Sequence, residues 1–211
     1  MVLIKDSKGR KKEETASGYE RLTGNKKLGS LISRYHATVI RAGNELENSL
    51  EKKLIGRKDV SIGNLNKEKR IFKNLKTDSS GKKHDIKIDA VIETKNEIIL
   101  VEIKDGDTFD TKKSAGEIES LNLVKNYLES KGKKVQVKFC SFNARDCEQI
   151  ERGAKGLLEK GMAMTGKEFC ELVGLNFDQI VEERKKDQKE NLNSLAEEIK
   201  EIPELMEKLK N

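Results

Sequence analysis

The chain of 211 residues carries 43 Lys and Arg against 37 Asp and Glu, a net charge of +6, with 35% hydrophobic residues and a single proline. That length fits one compact domain with appended helices or two small domains, and the apolar fraction suffices for a core, which excludes a disordered chain. The near balance of charges gives a mixed surface, compatible with nucleic acid as a partner but not uniformly cationic.

Cys140, Cys147 and Cys170 are odd in number and lack CxxC spacing, so they read as buried thiols and not as a disulfide framework or a zinc site. With His36 and His84 the only histidines, a multi-His metal site is excluded; a Ser-His-Asp triad stays open, although no GxSxG elbow occurs. No apolar run reaches the ~18 residues that span a bilayer, and "MVLIKDSKGRKKEE" lacks the apolar stretch of a signal peptide. The expectation is a cytoplasmic protein with no membrane partner.

Residues 1–27 are basic and rich in small polar side chains, which predicts a loosely attached arm. A long helix follows. Leu28, Leu31, Ile32, Tyr35, Val39, Ala42, Leu46, Leu50 and Leu54 recur at steps of three and four and give it one apolar face, with Gly56 as its stop. From 57 to 80 the pattern weakens: Gly63, Asn64 and Asn66 mark a turn, "RIFKNL" reads as helix or strand, and "KTDSSGKKHD" as a loop.

The stretch "IKIDAVIETKNEIILVEIKDG", residues 86–106, reads as a β-hairpin turning at Lys95 and Asn96, which sets Thr94 opposite Glu97 and Asp89 opposite Glu102. Period-two alternation places Ile88, Ala90, Ile92, Ile99, Val101 and Ile103 on one face. Lys87, Asp89, Glu102 and Lys104 share the other. Two carboxylates at paired positions, with Cβ atoms ~5 Å apart, destabilise a sheet unless something offsets them. A divalent cation such as Mg2+, which takes hard oxygen ligands and completes its shell with water and phosphate, would do so. Lys104 would point into the same cleft and steady charge on a phosphate. Glu-x-Lys alone means little, since the tripeptide begins at six places: Glu51, Glu93, Glu102, Glu129, Glu183 and Glu198. Glu102 differs in closing a strand opposite a second acid. The bland reading is a solvated hairpin end whose acids pair with Lys87 and Lys104.

Asp110 or Thr111 can cap a helix to about Lys131 that buries Ile118, Leu121, Val124 and Leu128, and "KVQVKFCSF" alternates as a strand. The order helix, strand, strand, helix, strand is an α/β core. Beyond Arg145 the chain reads as helical to its end: "TGKE" has capping-box spacing, Gly174 breaks the pattern, and Pro203 opens a last helix. "TGKEFCELVGLNFDQI" reads as a helical hairpin in preference to a helix-turn-helix.

Asp89 with Glu102-Ile103-Lys104 resembles the PD-(D/E)XK nuclease signature, and "RAGNELE" at 41–47 resembles the RAGxxFE stretch that precedes it in many type II restriction endonucleases. The resemblance covers roughly residues 28–143; Ile88 replaces the motif's proline and Leu46 an aromatic. It implies a restriction-endonuclease-like fold, a central mixed β-sheet flanked by helices with a helical C-terminal extension. The division would be an arm at 1–27, a nuclease core at 28–145 and a helical region at 146–211 that dimerises or reads DNA.

It also implies Mg2+-dependent hydrolysis of DNA phosphodiesters, with Asp89, Glu102 and the Ile103 carbonyl as metal ligands, Lys104 as catalytic lysine, and Glu47 reaching the metal site or a second ion. Ordinary surface placement is the alternative for Glu47. A homodimer would match a palindromic site in double-stranded DNA. Lys112 and Lys113, at a helix start beside the site, read as phosphate contacts, opposed locally by Asp105, Asp107 and Asp110, which serve instead as caps or extra ligands. Asn143 and Arg145 read as base or phosphate contacts, or as a plain surface turn. The rival functions are a junction resolvase or repair nuclease of the same fold, and a non-catalytic DNA-binding protein.

Overall fold

The computed structural model describes residues 3–9, 17–106 and 110–209. The chain groups into two compact units, Met1–Glu45 with Asp178–Asn211, and Leu46–Phe177.

In the first unit, helix α1 (Gly18–Thr23) precedes α2 (Lys26–Lys53), which runs on into the second unit; α6 (Phe177–Lys200) and α7 (Pro203–Leu209) close the chain. Ile4, Leu31 and Ile202 are buried together, with Leu28, Leu195, Ile199 and Leu205 packed around them. The arm expected at 1–27 is therefore corrected over its described residues. Leu3 and Ile4 are too apolar to stay in water, Ile4 N–H donates to Asn191 at 2.9 Å, and Ser17 caps α1. Residues 1–2 and 10–16 of that arm lie outside the described residues. On α2, Thr38 donates to Ser7 at 2.7 Å and Leu31 is buried, so Tyr35 and Val39, expected inside, stand 49% and 55% exposed.

The second unit is built on a five-stranded sheet in the order β1 (Val60–Ile62), β4 (Ala90–Glu93), β5 (Ile98–Lys104), β6 (Val135–Ser141), β7 (Ala163–Thr165). The first two pairings are antiparallel and the last two parallel, so the sheet is mixed. The β4–β5 hairpin has the register read from sequence: Ala90 faces Val101, and Thr94 N–H donates to the Glu97 carbonyl at 2.9 Å. Helix α3 (Thr111–Glu129), capped by Asp110 accepting from Lys113 N–H, crosses over between the parallel strands β5 and β6. It buries Ile118, Leu121 and Val124 against Val91, Leu100, Val135, Val137 and Phe139.

The face assigned to Lys87, Asp89, Glu102 and Lys104 therefore also holds Val91 and Leu100, and α3 covers it. Both faces of β5 are buried. That is the usual state of a strand with a crossover helix above it, and it explains the near-continuous "IILV".

The ambiguous segment 71–77 is a strand, β2 (Ile71–Thr77), and the expected loop after it contains the turn into β3 (Lys83–Lys87). The pair makes a separate two-stranded ribbon. Its base sits on α3, where Phe72 meets the Tyr127 ring edge-on and Lys76 pairs with Glu119 at 3.0 Å. Beyond Arg145 the chain is not wholly helical. After α4 (Cys147–Gly153) strand β7 joins the sheet edge and leads into α5 (Gly166–Val173), where Thr165 and Glu168 form the expected capping box and Gly174, at φ 71°, the expected stop. No helix among the described residues is long and apolar enough to cross a membrane.

Candidate active site

Each side chain of the signature is held by a local device. Asp89 lies in the bend between β3 and β4, and its Oδ2 accepts the backbone N–H of Ile103 at 3.0 Å, so the carboxylate itself ends the hairpin ladder. The residue before it is pinned by Arg70. Ile88 N–H donates to the Arg70 carbonyl and the Arg70 guanidinium returns a bond to the Ile88 carbonyl, each at 3.0 Å; Arg70 also donates to the Gly63 carbonyl. Arg70 is 1% exposed, a buried cation whose two terminal nitrogens donate to these backbone oxygens while its Nε has no partner. Nothing in the basic run "KEKR" marked it out.

Glu102 and Lys104 project from one face of β5, and Glu102 is beside Phe139 in the parallel register with β6. Burial beneath α3, then the charge of Asp89, pushes Glu102 up to about 8. Lys104 opposes that shift, its ammonium donating to Glu102 Oε1 at 2.6 Å. Burial works against the charge on Lys104, but Glu102 and Glu117 outweigh it and hold the lysine above its ordinary value.

Glu117, which the sequence reading missed, is on α3 and meets Lys104 Nζ at 2.7 Å. Its spacing from Lys113 looks like an ordinary exposed helix pair, which hid it. Glu47, half-buried near the end of α2, is raised by burial and then by the charge of Asp89, with Lys87, Arg70 and Lys104 opposing. It thus shares the electrostatic surroundings of Asp89 and Lys104. Among the described residues, however, no three His, Cys, Asp or Glu side chains stand close enough to form a ready metal cage. What Asp89 and Glu102 offer is two hard oxygen donors in a poorly solvated setting. That donor set fits Mg2+, which accepts one or two carboxylates and fills the rest of an octahedron with water and phosphate.

The residues read as DNA contacts fall in two segments, the first turn of α3 and the turn after β6. Lys112 is exposed in the first turn of α3, and Lys113 lies 3.7 Å from Glu117. Asn143 donates to the Asp105 carbonyl and carboxylate at 2.5 and 2.8 Å, fixing the turn after β5. Arg145 is 78% exposed on its side chain and pairs with Asp146 at 2.8 Å. Asp110 caps α3, one of the roles expected of it, whereas Asp107 lies outside the described residues.

A curated relative shares this chain from end to end: the type II restriction enzyme HhaII of Haemophilus parahaemolyticus is 35% identical over 226 aligned positions, covering 100% of this chain and 99% of the relative. The chain belongs to the type II restriction endonucleases. Homology thus supports restriction endonuclease activity, site-specific cleavage of DNA, and makes DNA the partner. The family generally uses a divalent metal. Among solved structures the chain is similar to the small subunit of the heterodimeric restriction endonuclease R.BspD6I, at 20% identity and a TM-score of 0.31 over 69% of this chain and 82% of that one. No protein-family model matches the chain.

Proposed function

We propose that this endonuclease hydrolyses double-stranded DNA with Mg2+ through Asp89, Glu102 and Lys104. The observation that carries this is the buried Glu102 beside Asp89, pushed up to about 8 and held by a lysine at 2.6 Å. In this reading Asp89 and Glu102 hold the ion with the Ile103 carbonyl, and Glu47 supports it from the end of α2. When bound, the ion supplies a more acidic water and a counter-charge for the phosphate. The Ile103 N–H keeps Asp89 oriented, and the Arg70 bonds at Ile88 keep that bend in place. Lys104 presents its ammonium to the reacting phosphate, stabilising charge that develops there in a largely buried site.

DNA lies along the α3 end of the site. Lys112, Lys113 and Arg145 meet phosphates, Asn143 shapes the turn that presents them, and exposed Lys82 and Lys83 at the ribbon tip extend the cationic track. The enzyme acts as a homodimer in the cytoplasm, a reducing compartment that suits the free thiols of Cys140, Cys147 and Cys170.

The test is plasmid digestion with Mg2+ and with EDTA. Discrete fragments that require metal are the expected outcome, and retardation without cutting would favour a binding protein. Lys104→Ala is expected to keep DNA binding and to slow cleavage by at least about 10²-fold. A variant that cuts at the wild-type rate removes Lys104 from the mechanism.

A further inference from the structure

Lys104 is held by two acids from two kinds of element. Glu102, its neighbour on β5, takes one N–H at 2.6 Å, and Glu117, on the second turn of α3, takes another at 2.7 Å. The Glu117 side chain is only 18% exposed, and its second oxygen, Oε2, is buried without a hydrogen-bond partner. A buried carboxylate oxygen left unpaired is costly, so the arrangement is incomplete as it stands.

A lysine ammonium has three donors and no fixed fork, so it can exchange acceptors by rotation about its flexible stem. If Glu102 is a metal ligand, the ammonium and the ion compete for the same carboxylate. Two cations on one carboxylate repel, and one must give way. Strand β5 offers Lys104 no second acid, and Asp89, in the bend before β4, would be taken by the same ion. The helix offers Glu117.

We propose that Glu117 is a positioning residue that receives Lys104 when a divalent ion takes Glu102. The N–H released from Glu102 then passes to Glu117 Oε2, which satisfies the orphaned oxygen and keeps the amine beside the phosphate. Glu117 thus lets one buried pocket hold a cation in either state: the lysine bridging two acids without metal, and the lysine seated on Glu117 with it. The inference rests on the catalytic reading of Asp89, Glu102 and Lys104 given above.

Three variants, Glu117→Ala, Glu117→Gln and Lys104→Met, with the Glu117→Ala/Lys104→Met double variant, test it in the full-length enzyme. Two readouts are used: Mn2+ binding, followed by the electron spin resonance signal of the free ion, and plasmid cleavage at saturating Mn2+. Glu117→Ala is expected to weaken Mn2+ binding and to slow cleavage, each by about 10- to 100-fold, the range for partners that orient metal ligands.

Glu117→Gln keeps one acceptor oxygen but sets an NH2 donor where the second N–H would go, and is expected to recover only part of the cleavage rate. In the Lys104→Met background, removing Glu117 should no longer affect Mn2+ binding, because the competing ammonium is gone. Wild-type cleavage by Glu117→Ala overturns the proposal, as does a Gln variant no better than Ala. An equal loss of Mn2+ binding with and without Lys104 also overturns it, because Glu117 would then act on the ion directly. Wild-type cutting by Lys104→Met would instead remove the catalytic reading itself, so the two failures are distinguishable. Thermal melting of Glu117→Gln, which is isosteric, separates a folding defect from lost positioning.

Discussion

Glu102 is kept from water by Phe139 and helix α3 and faces the charge of Asp89, so its ordinary value of 4.5 moves up to about 8. The folded value exceeds the unfolded one. Protonated Glu102 therefore adds stability that is complete below about 4.5 and is lost as the pH rises through about 8. Without metal, the melting temperature is expected to fall from pH 6 to pH 8 and to level off by pH 9, and Mg2+ should restore most of that loss. Glu102→Gln, which removes the ionisation, should melt above the wild type at pH 9 while losing cleavage. Each kcal/mol of difference corresponds to about 2–4 °C for a chain of this size. Differential scanning calorimetry at pH 6 and pH 9 checks it; a wild-type melting temperature that is flat across that interval contradicts the assigned shift.

At the scale of elements, what could be read from sequence depended on how much information each segment carried alone. The turn and register of the β4–β5 hairpin were legible, because its β-branched alternation allows one register in which the apolar set is buried. The expected first strand ran too far back: Ile86 and Lys87 pair with β2 in the separate ribbon, and Asp89 lies in the bend before Ala90. Strands β1 and β7 have three residues each, too few to show a period, and β2, IFKNLKT, keeps no two-residue period across an irregularity at Asn74, whose φ is 56°. Asp89, Glu102 and Lys104 stood out in the sequence because acids at positions read as paired are anomalous, although the structure sets Asp89 in the bend before β4 and not in the ladder. Glu117 and Arg70 were not, since what distinguishes them is burial by elements distant in sequence.

The β7–α5 corner gives a test at this scale. A Cβ on Gly166 would fall 2.3 Å from the Phe142 carbonyl oxygen, whereas one on Gly116, inside α3, would meet nothing within 4 Å. Gly166→Ala is therefore expected to destabilise by about 1–3 kcal/mol, as overpacking does. Gly116→Ala should stabilise by about 0.5–1 kcal/mol by limiting the unfolded chain and favouring helix. Urea denaturation of the two variants reads both signs; equal effects would mean that the corner is not tightly packed.

For the whole molecule, a double-strand cut needs two reaction centres, and the described residues hold one cluster of the Asp89, Glu102, Lys104 kind. In the homodimer proposed above, two copies related by a two-fold axis would supply the second and match the symmetry of a palindromic site. Helix α2 offers a surface for this contact. Tyr35, Val39 and Ile40 are 49%, 55% and 56% exposed, although the apolar period of the helix marks Tyr35 and Val39 for burial. Apolar side chains that a helix repeats but the other described residues do not cover fit a protein partner, and a second copy is the partner that the proposed homodimer would bring. Tyr35→Glu with Val39→Glu should then convert a dimer to a monomer in sedimentation velocity, and turn double-strand cleavage into slow nicking, with little change in melting. A wild-type chain that sediments as a monomer with and without DNA removes the dimer, and a double variant that still dimerises moves the contact away from α2.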